Sequence, residues 1–225
     1  MQATTAEEFA QLALSLHHEP TLEETVDRVL DFALKAVDCT YAGVIFVHRS
    51  TSVETFAATD PLVADLDRLQ FESGAGPDLE IIADRLGVLV EDTATETRWP
   101  AWSRTVAAAG VRSMLGTRIH TGATVIGSLN LYDVRPGHFS EEDRDVAHVL
   151  ARHAAVALAA TREQAELWQA IDARQLVGQA TGILMERFTL DADRAFDVLR
   201  RYSQHHNLKL HEVATRLIES RRLPD

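Results

Sequence analysis

At Ser140 the pattern of this chain changes period, and that change divides what the chain can fold into. Upstream, short β-branched and aromatic runs alternate with helical stretches; downstream, apolar residues recur at helical spacing with no strand-like run among them. A sheet can form only from the first part, and the remainder must be built from helices.

Near the start, Phe9, Leu12, Ala13 and Leu16 fall at helical spacing, and a second helix from Thr21 carries Val26, Val29, Leu30, Ala33 and Val37 as its apolar stripe. Tyr41 to His48 and Val53 to Ala57 read as two strands joined through His48 to Ser52. Pro61 to Leu69 predicts a helix, Glu72 to Pro77 a glycine-containing turn, Asp78 to Leu86 a short helix and Val88 to Glu91 a strand. After the polar stretch Thr93 to Ala101, Trp102 to Ala109 predicts a helix. Strands come next at Ser113 to His120 and Thr124 to Asn130, with Gly122 at the hairpin turn, and a further short one at Tyr132. Strands in consecutive runs, with helices at the ends and between some of them, favour a mainly antiparallel sheet over alternating parallel units, so the class is α+β.

Beyond the boundary, Ser140 and Asp143 form an acidic version of the capping box. Val146, Val149, His153, Val156, Ala160, Leu167, Ile171 and Gly178 keep an interrupted heptad-like spacing, with Glu163 and Arg174 breaking it. For Val146 to Ala160 the expected role is packing on the domain's own sheet; from Arg162 onward it is pairing between two subunits. Three helices finish the chain: one including Leu176 to Phe188; one capped by Asp191 that buries Ala195, Phe196, Leu199 and Tyr202; and one carrying Leu210, Val213, Ala214, Leu217 and Ile218. Such short amphipathic helices must bury their stripes against each other, leaving Arg187, Arg200, Arg201, Lys209 and Arg216 outside.

A net charge of −12 would by itself argue against a nucleic-acid partner. The acid is confined, however: residues 1–173 hold 13 Lys/Arg against 27 Asp/Glu, whereas residues 174–225 hold 9 against 7. Charge therefore permits a phosphate-bearing partner on the tail without demanding one. The single cysteine, Cys39, excludes an internal disulfide and fits a reducing compartment. Met1 to Glu8 lacks a signal-peptide pattern, and no run approaches the roughly 20 apolar residues that span a bilayer. The expectation is a cytoplasmic protein without membrane insertion.

The segment Arg174-Gln-Leu-Val-Gly-Gln-Ala-Thr-Gly-Ile-Leu-Met-Glu-Arg187, with Asp191-Ala-Asp-Arg-Ala-Phe196, Leu199-Arg200 and Asn207-Leu-Lys-Leu210, resembles the ANTAR family of RNA-binding antitermination domains. Upstream, the strand order, the Gly74-Ala-Gly-Pro77 turn and the Phe139-Ser-Glu-Glu-Asp143 helix start resemble a GAF domain. The resemblances imply a GAF-like sensor at 1–160, a connecting coiled-coil helix at 161–173 and an all-α three-helix ANTAR-like bundle at 174–225. They also imply a regulator that binds paired stem-loops in RNA and controls transcription termination or translation, with a possible small-molecule ligand in the sensor; pairing of the connecting helix, and the affinity that two linked modules gain, predict a homodimer. No cofactor, catalytic residue or metal ligand is implied. Where the ANTAR pattern usually has lysine, this chain has Thr181, a hydroxyl that keeps hydrogen bonding but loses charge.

Loop bases of structured RNA are splayed out and readable, so a small helical module gains specificity there. The RNA-binding candidates are the cations Arg174, Arg187, Arg200 and Lys209, the neutral donors and acceptors Gln179, Thr181, Ser203 and Asn207, and the small residues Ala180 and Gly182, which let RNA come close. For any one arginine the competing reading is a solvated face or a pair such as Arg200 with Asp197; for Ala180 it is helix packing. Phe46, Phe56, Trp99 and Met114, with Trp102, are candidates to line a sensor pocket, against the favoured reading that they fill a core. His205, His206 and His211, and likewise His17 and His18, are expected to be solvated or stacked, since adjacent helical residues point about 100° apart. Two rival functions compete with RNA binding. Three short arginine-bearing helices also suit a DNA-binding helix-turn-helix, and some GAF-like proteins reduce oxidised methionine through paired cysteines, which one cysteine does not supply.

Overall fold

A computed structural model describes residues 21–47, 52–122 and 124–220, with Glu7, Gln11 and Leu14 taken singly. The expected helix through Phe9 and Leu16, the pair His17–His18 and most of the His48 to Ser52 connection lie outside the described residues. The chain divides into two compact units, Met1–Arg162 and Glu163–Asp225.

In the first unit, helix α1 (Leu22–Val37) is capped by Thr21, whose side chain accepts from the Glu24 N–H, and ends at Asp38 in the left-handed region. Strands β1 (Tyr41–Val47) and β2 (Val53–Ala58) come next, then α2 (Pro61–Ser73), α3 (Pro77–Ala83), β3 (Gly87–Val90), α4 (Pro100–Ala108), β4 (Ser113–Thr121) and β5 (Thr124–Asp133). The five strands form one sheet in the order β2-β1-β5-β4-β3, every neighbouring pair antiparallel. Tyr132 does not start a strand of its own. It is paired with Tyr41 and Met114 inside β5, because nothing after Asn130 breaks the ladder.

Alternation along the strands separates two faces. Val44, Phe46, Leu115, Ile119, Leu129 and Leu131 share a core with the α1 stripe Val26, Val29, Leu30, Ala33 and Val37. The opposite face carries Val88, Val90, Met114 and Tyr132 and is covered by Val63 and Leu66 of α2, Ile81 of α3, and Trp102 and Val106 of α4.

The first core is closed by α5, a helix of 48 residues from Glu141 to Phe188. Its start is the expected box: Ser140 N–H donates to Asp143 Oδ2 at 2.8 Å, and Asp143 N–H to Ser140 Oγ at 3.2 Å. The stripe that packs is Ala147, Leu150, Ala151, Ala154, Ala155 and Leu158. This corrects the heptad reading, for Val149, Val156 and Ala160 stay exposed. One helix thus holds two apolar stripes, and only one meets the sheet.

In the second unit the end of α5 joins α6 (Ala192–His206) and α7 (Leu210–Ser220) around Ala180, Leu184, Ala195, Leu199, Val213, Ala214 and Leu217. Asp191 caps α6 by accepting from the Arg194 N–H at 2.8 Å, and Asn207 ends it in the left-handed region. Phe196 corrects an expectation: it is 39% exposed, because Ala195 and Leu199 already occupy the inward positions of α6. Among the described residues no helix is long and apolar enough to cross a membrane.

Gly127 tests the sheet. A Cβ there would run into the Ile45 carbonyl group and lie 3.2 Å from the Phe46 Cα, all of it backbone. Gly127→Ala should therefore destabilise the first unit by roughly 1–3 kcal/mol or more, read as an earlier unfolding transition in chemical denaturation.

Candidate nucleic-acid interface and sensor interior

Helix α5 meets its neighbours in the second unit through Leu176, Val177, Ala180 and Leu184. Another side of that stretch is open. Arg174, Gly178 and Gly182 recur every four residues and so share one side of the helix, with Gln179 beside them, all exposed. A Cβ added at Gly178 or Gly182 would meet nothing within 4 Å, so neither glycine serves internal packing. Gly178 is a surface position that sequence reasoning assigned to the heptad rather than to this strip.

The remaining candidates separate by what they touch. Lys209 is exposed, and Arg187 is exposed with its guanidinium carbon 5.7 Å from the Phe188 ring centroid. Arg200 is exposed and paired with Asp197 at 2.8 Å, the competing reading for that residue. Ala180 is a correction: at 0% exposure, enclosed by the bundle core, it packs helices and cannot touch a partner. Thr181 donates its hydroxyl proton to the Val177 carbonyl at 2.7 Å, and Ser203 donates to the Leu208 carbonyl at 2.6 Å, so both hydroxyls serve their own backbone. Asn207 is exposed, yet its identity already answers the left-handed turn that ends α6. The exposed apolar residues Met185, Phe188 and Phe196 lie on the same unit. Only Phe196 had a predicted place, and it was the core.

In the first unit the four pocket candidates are not brought together. Phe46 stacks on Phe56 at 4.3 Å between centroids on the α1 side of the sheet, whereas Trp99 and Met114 lie in the core beneath α2, α3 and α4. Polar groups collect on that second side. Asp67, Gln70, Asp78, Ser128 and Asn130 are all buried there; the Asn130 amide faces the Asp78 carboxyl, and Ser128 Oγ and Trp102 Nε1 lack a hydrogen-bond partner. Burial pushes the Asp67 carboxyl up to about 7 and, with the charge of Asp67 added, raises Asp78 well above the usual carboxylate range. Cys39 is pushed up to about 12 by burial, so its thiol stays protonated and unreactive. Among the described residues no cluster of His, Cys, Asp and Glu is arranged to hold a metal ion.

The first unit is thus a five-stranded antiparallel sheet with helices on both faces, and the second is all-helical. The GAF domain family matches residues 19–159, and the ANTAR domain family matches residues 165–218. The chain belongs to the GAF domain family and carries an ANTAR domain, an RNA-binding regulatory module, after it. Among curated proteins, none matches the chain. Solved structures share the fold. The free methionine-R-sulfoxide reductase of Neisseria meningitidis is 16% identical with a TM-score of 0.56 over 73% of this chain and 98% of that one. The GAF domain of a phosphoenolpyruvate-protein phosphotransferase from Coxiella burnetii is 16% identical with a TM-score of 0.56, over 70% of this chain and 94% of that one. A GAF domain from Synechocystis in its photoproduct state is 18% identical with a TM-score of 0.54, over 65% and 99%.

The open glycines make a quantitative expectation. Gly178→Ala and Gly182→Ala should each stabilise the second unit by about 0.8–1 kcal/mol, since alanine is the better helix former and meets no obstacle. Thermal denaturation of the single variants checks this.

Proposed function

We propose that this protein is a signal-responsive regulator that binds tandem RNA hairpins through its ANTAR domain and so controls transcription termination or translation. The observation that carries the reading is the open Arg174–Gly178–Gly182 strip on the first ANTAR helix, where a cation adjoins bare backbone. Glycine lets a phosphate or loop base approach the helix, and Gln179 adds a neutral donor and acceptor beside it. Arg187, Arg200 and Lys209 supply further cations outside the bundle; releasing Arg200 from Asp197 costs little, because the pair is solvent-exposed.

Two copies acting together are part of the proposal. Leu167, Trp168 and Ile171 are 58%, 59% and 51% exposed on α5, an apolar cost that pairing of residues 161–173 between subunits would remove. A dimer presents two ANTAR domains to two stem-loops, and the second contact then forms at high effective concentration. The buried polar interior of the GAF domain is the place where a small-molecule signal would act, and a change there would alter helix pairing. An RNA partner implies a cytoplasmic setting.

Gel-shift titration with tandem stem-loops, scrambled transcripts and duplex DNA tests the reading. Preference for the stem-loops supports it, and preference for duplex DNA supports the helix-turn-helix alternative. Arg174→Ala should weaken stem-loop binding about tenfold and lower the salt slope by about 1. Leu167→Glu should reduce the dimer fraction in sedimentation and weaken tandem-hairpin binding by roughly 10²-fold while sparing a single hairpin.

A further inference from the structure

The carboxyl groups of Asp67, on α2, and Asp78, in the first turn of α3, are both completely enclosed. Every hydrogen bond they receive comes from a neutral group. Thr55 Oγ1 donates to Asp67 Oδ2 at 2.7 Å, and the Tyr132 hydroxyl reaches Asp67 Oδ1 at 3.4 Å. Gln70 Nε2 donates to Asp78 Oδ2 at 2.6 Å, while Gln70 Oε1 accepts from the Asp78 N–H at 2.9 Å, so one amide holds the start of α3 at two points.

The charged groups on the surrounding elements are directed elsewhere. On α2, Arg68 pairs with Asp65 at the surface. On α3, Glu80 takes the Trp99 indole N–H and Arg85. On α4, Arg104 donates to the Pro100 carbonyl, and on β4, Arg118 donates to the Ile81 carbonyl. From the sheet, Tyr132 of β5 faces the pair directly, Tyr41 of β1 packs against the same core, and Glu54 of β2 is exposed. Among the described residues no cation meets either carboxylate.

A buried carboxylate without a counter-charge is costly, and a neighbouring carboxylate makes it costlier, so such a pair retains protons that exposed acids have lost. We infer that Asp67 and Asp78 form a proton-responsive clamp, which holds α2 and α3 on the sheet while the pair is protonated and loosens that layer as it ionises. The layer covers Asn130, which faces Asp78, and Ser128, whose unpartnered hydroxyl loosening would open to water. The sensor unit thereby acquires a response to pH that does not depend on the RNA-binding reading.

The direction is set by the raised position of Asp67. Its folded-state value of about 7 lies above the ordinary carboxylate range, so the stabilisation contributed by its proton is complete below about 4 and is lost as pH rises through about 7. Thermal unfolding of the full chain, monitored by near-ultraviolet circular dichroism between pH 5.5 and 8.5, should show the first unit melting roughly 5 °C or more lower at the alkaline end. Asp67→Asn and Asp78→Asn keep the shape and remove the ionisation, so each should flatten that dependence. A slope as steep in both variants as in the wild type would overturn the clamp. Should either variant fail to fold, hydrogen exchange of the wild type decides. Peptides from residues 61–83 should open faster at pH 8.5 relative to those of 22–37, after correction for intrinsic rates, and an equal change in both would overturn the inference.

Discussion

Burial of the apolar sheet face is the interaction on which the rest depends. Val44, Leu115, Ile119, Leu129 and Leu131 present a continuous hydrophobic surface that α1 alone does not close, and the Ala147–Leu158 stripe of α5 completes the core. Because the same helix continues to Phe188, the element that seals the sensor core is also the first helix of the RNA-binding unit. Its unused stripe, from Val149 through Val156 to Leu167 and Ile171, is the price of that double duty: an apolar surface that the described residues leave open.

The two sheet faces are chemically unequal. Under α1 and α5 the interior is built mainly from apolar side chains. Under α2, α3 and α4 it mixes Trp102, Met114 and Tyr132 with two carboxyl groups, an asparagine and a serine, and the Ser128 hydroxyl and Trp102 indole nitrogen have no partner. Unpaired buried polar groups destabilise a fold, so this face contributes less to stability than the other for the same burial.

In the second unit the small residues of the first motif divide by function. Ala180 lies inside, where a larger side chain would force the helices apart, and Gly178 and Gly182 lie outside, where nothing opposes a larger side chain. Glycine on an exposed helix face costs stability relative to alanine, and nothing inside the unit requires it at either position. The hydroxyls of Thr181 and Ser203 look equally available in the sequence, yet each is engaged by a carbonyl of its own unit.

The sequence by itself determined the α+β class, the change to an all-helical tail at Ser140, the caps at Ser140 and Asp191, and the core positions Leu199, Val213 and Leu217, because period and capping chemistry are local. It also carried the motif residues that place the chain in its families. Tertiary structure alone decided which of two apolar stripes on α5 meets the sheet, that Phe196 faces outward while Ala180 faces inward, and that Phe46 and Met114 lie on opposite sides of the sheet. It alone brought Asp67 and Asp78 together without a cation. Helical spacing specifies a stripe but not the partner that covers it, and residues far apart in the chain meet only when the sheet and its helices are assembled.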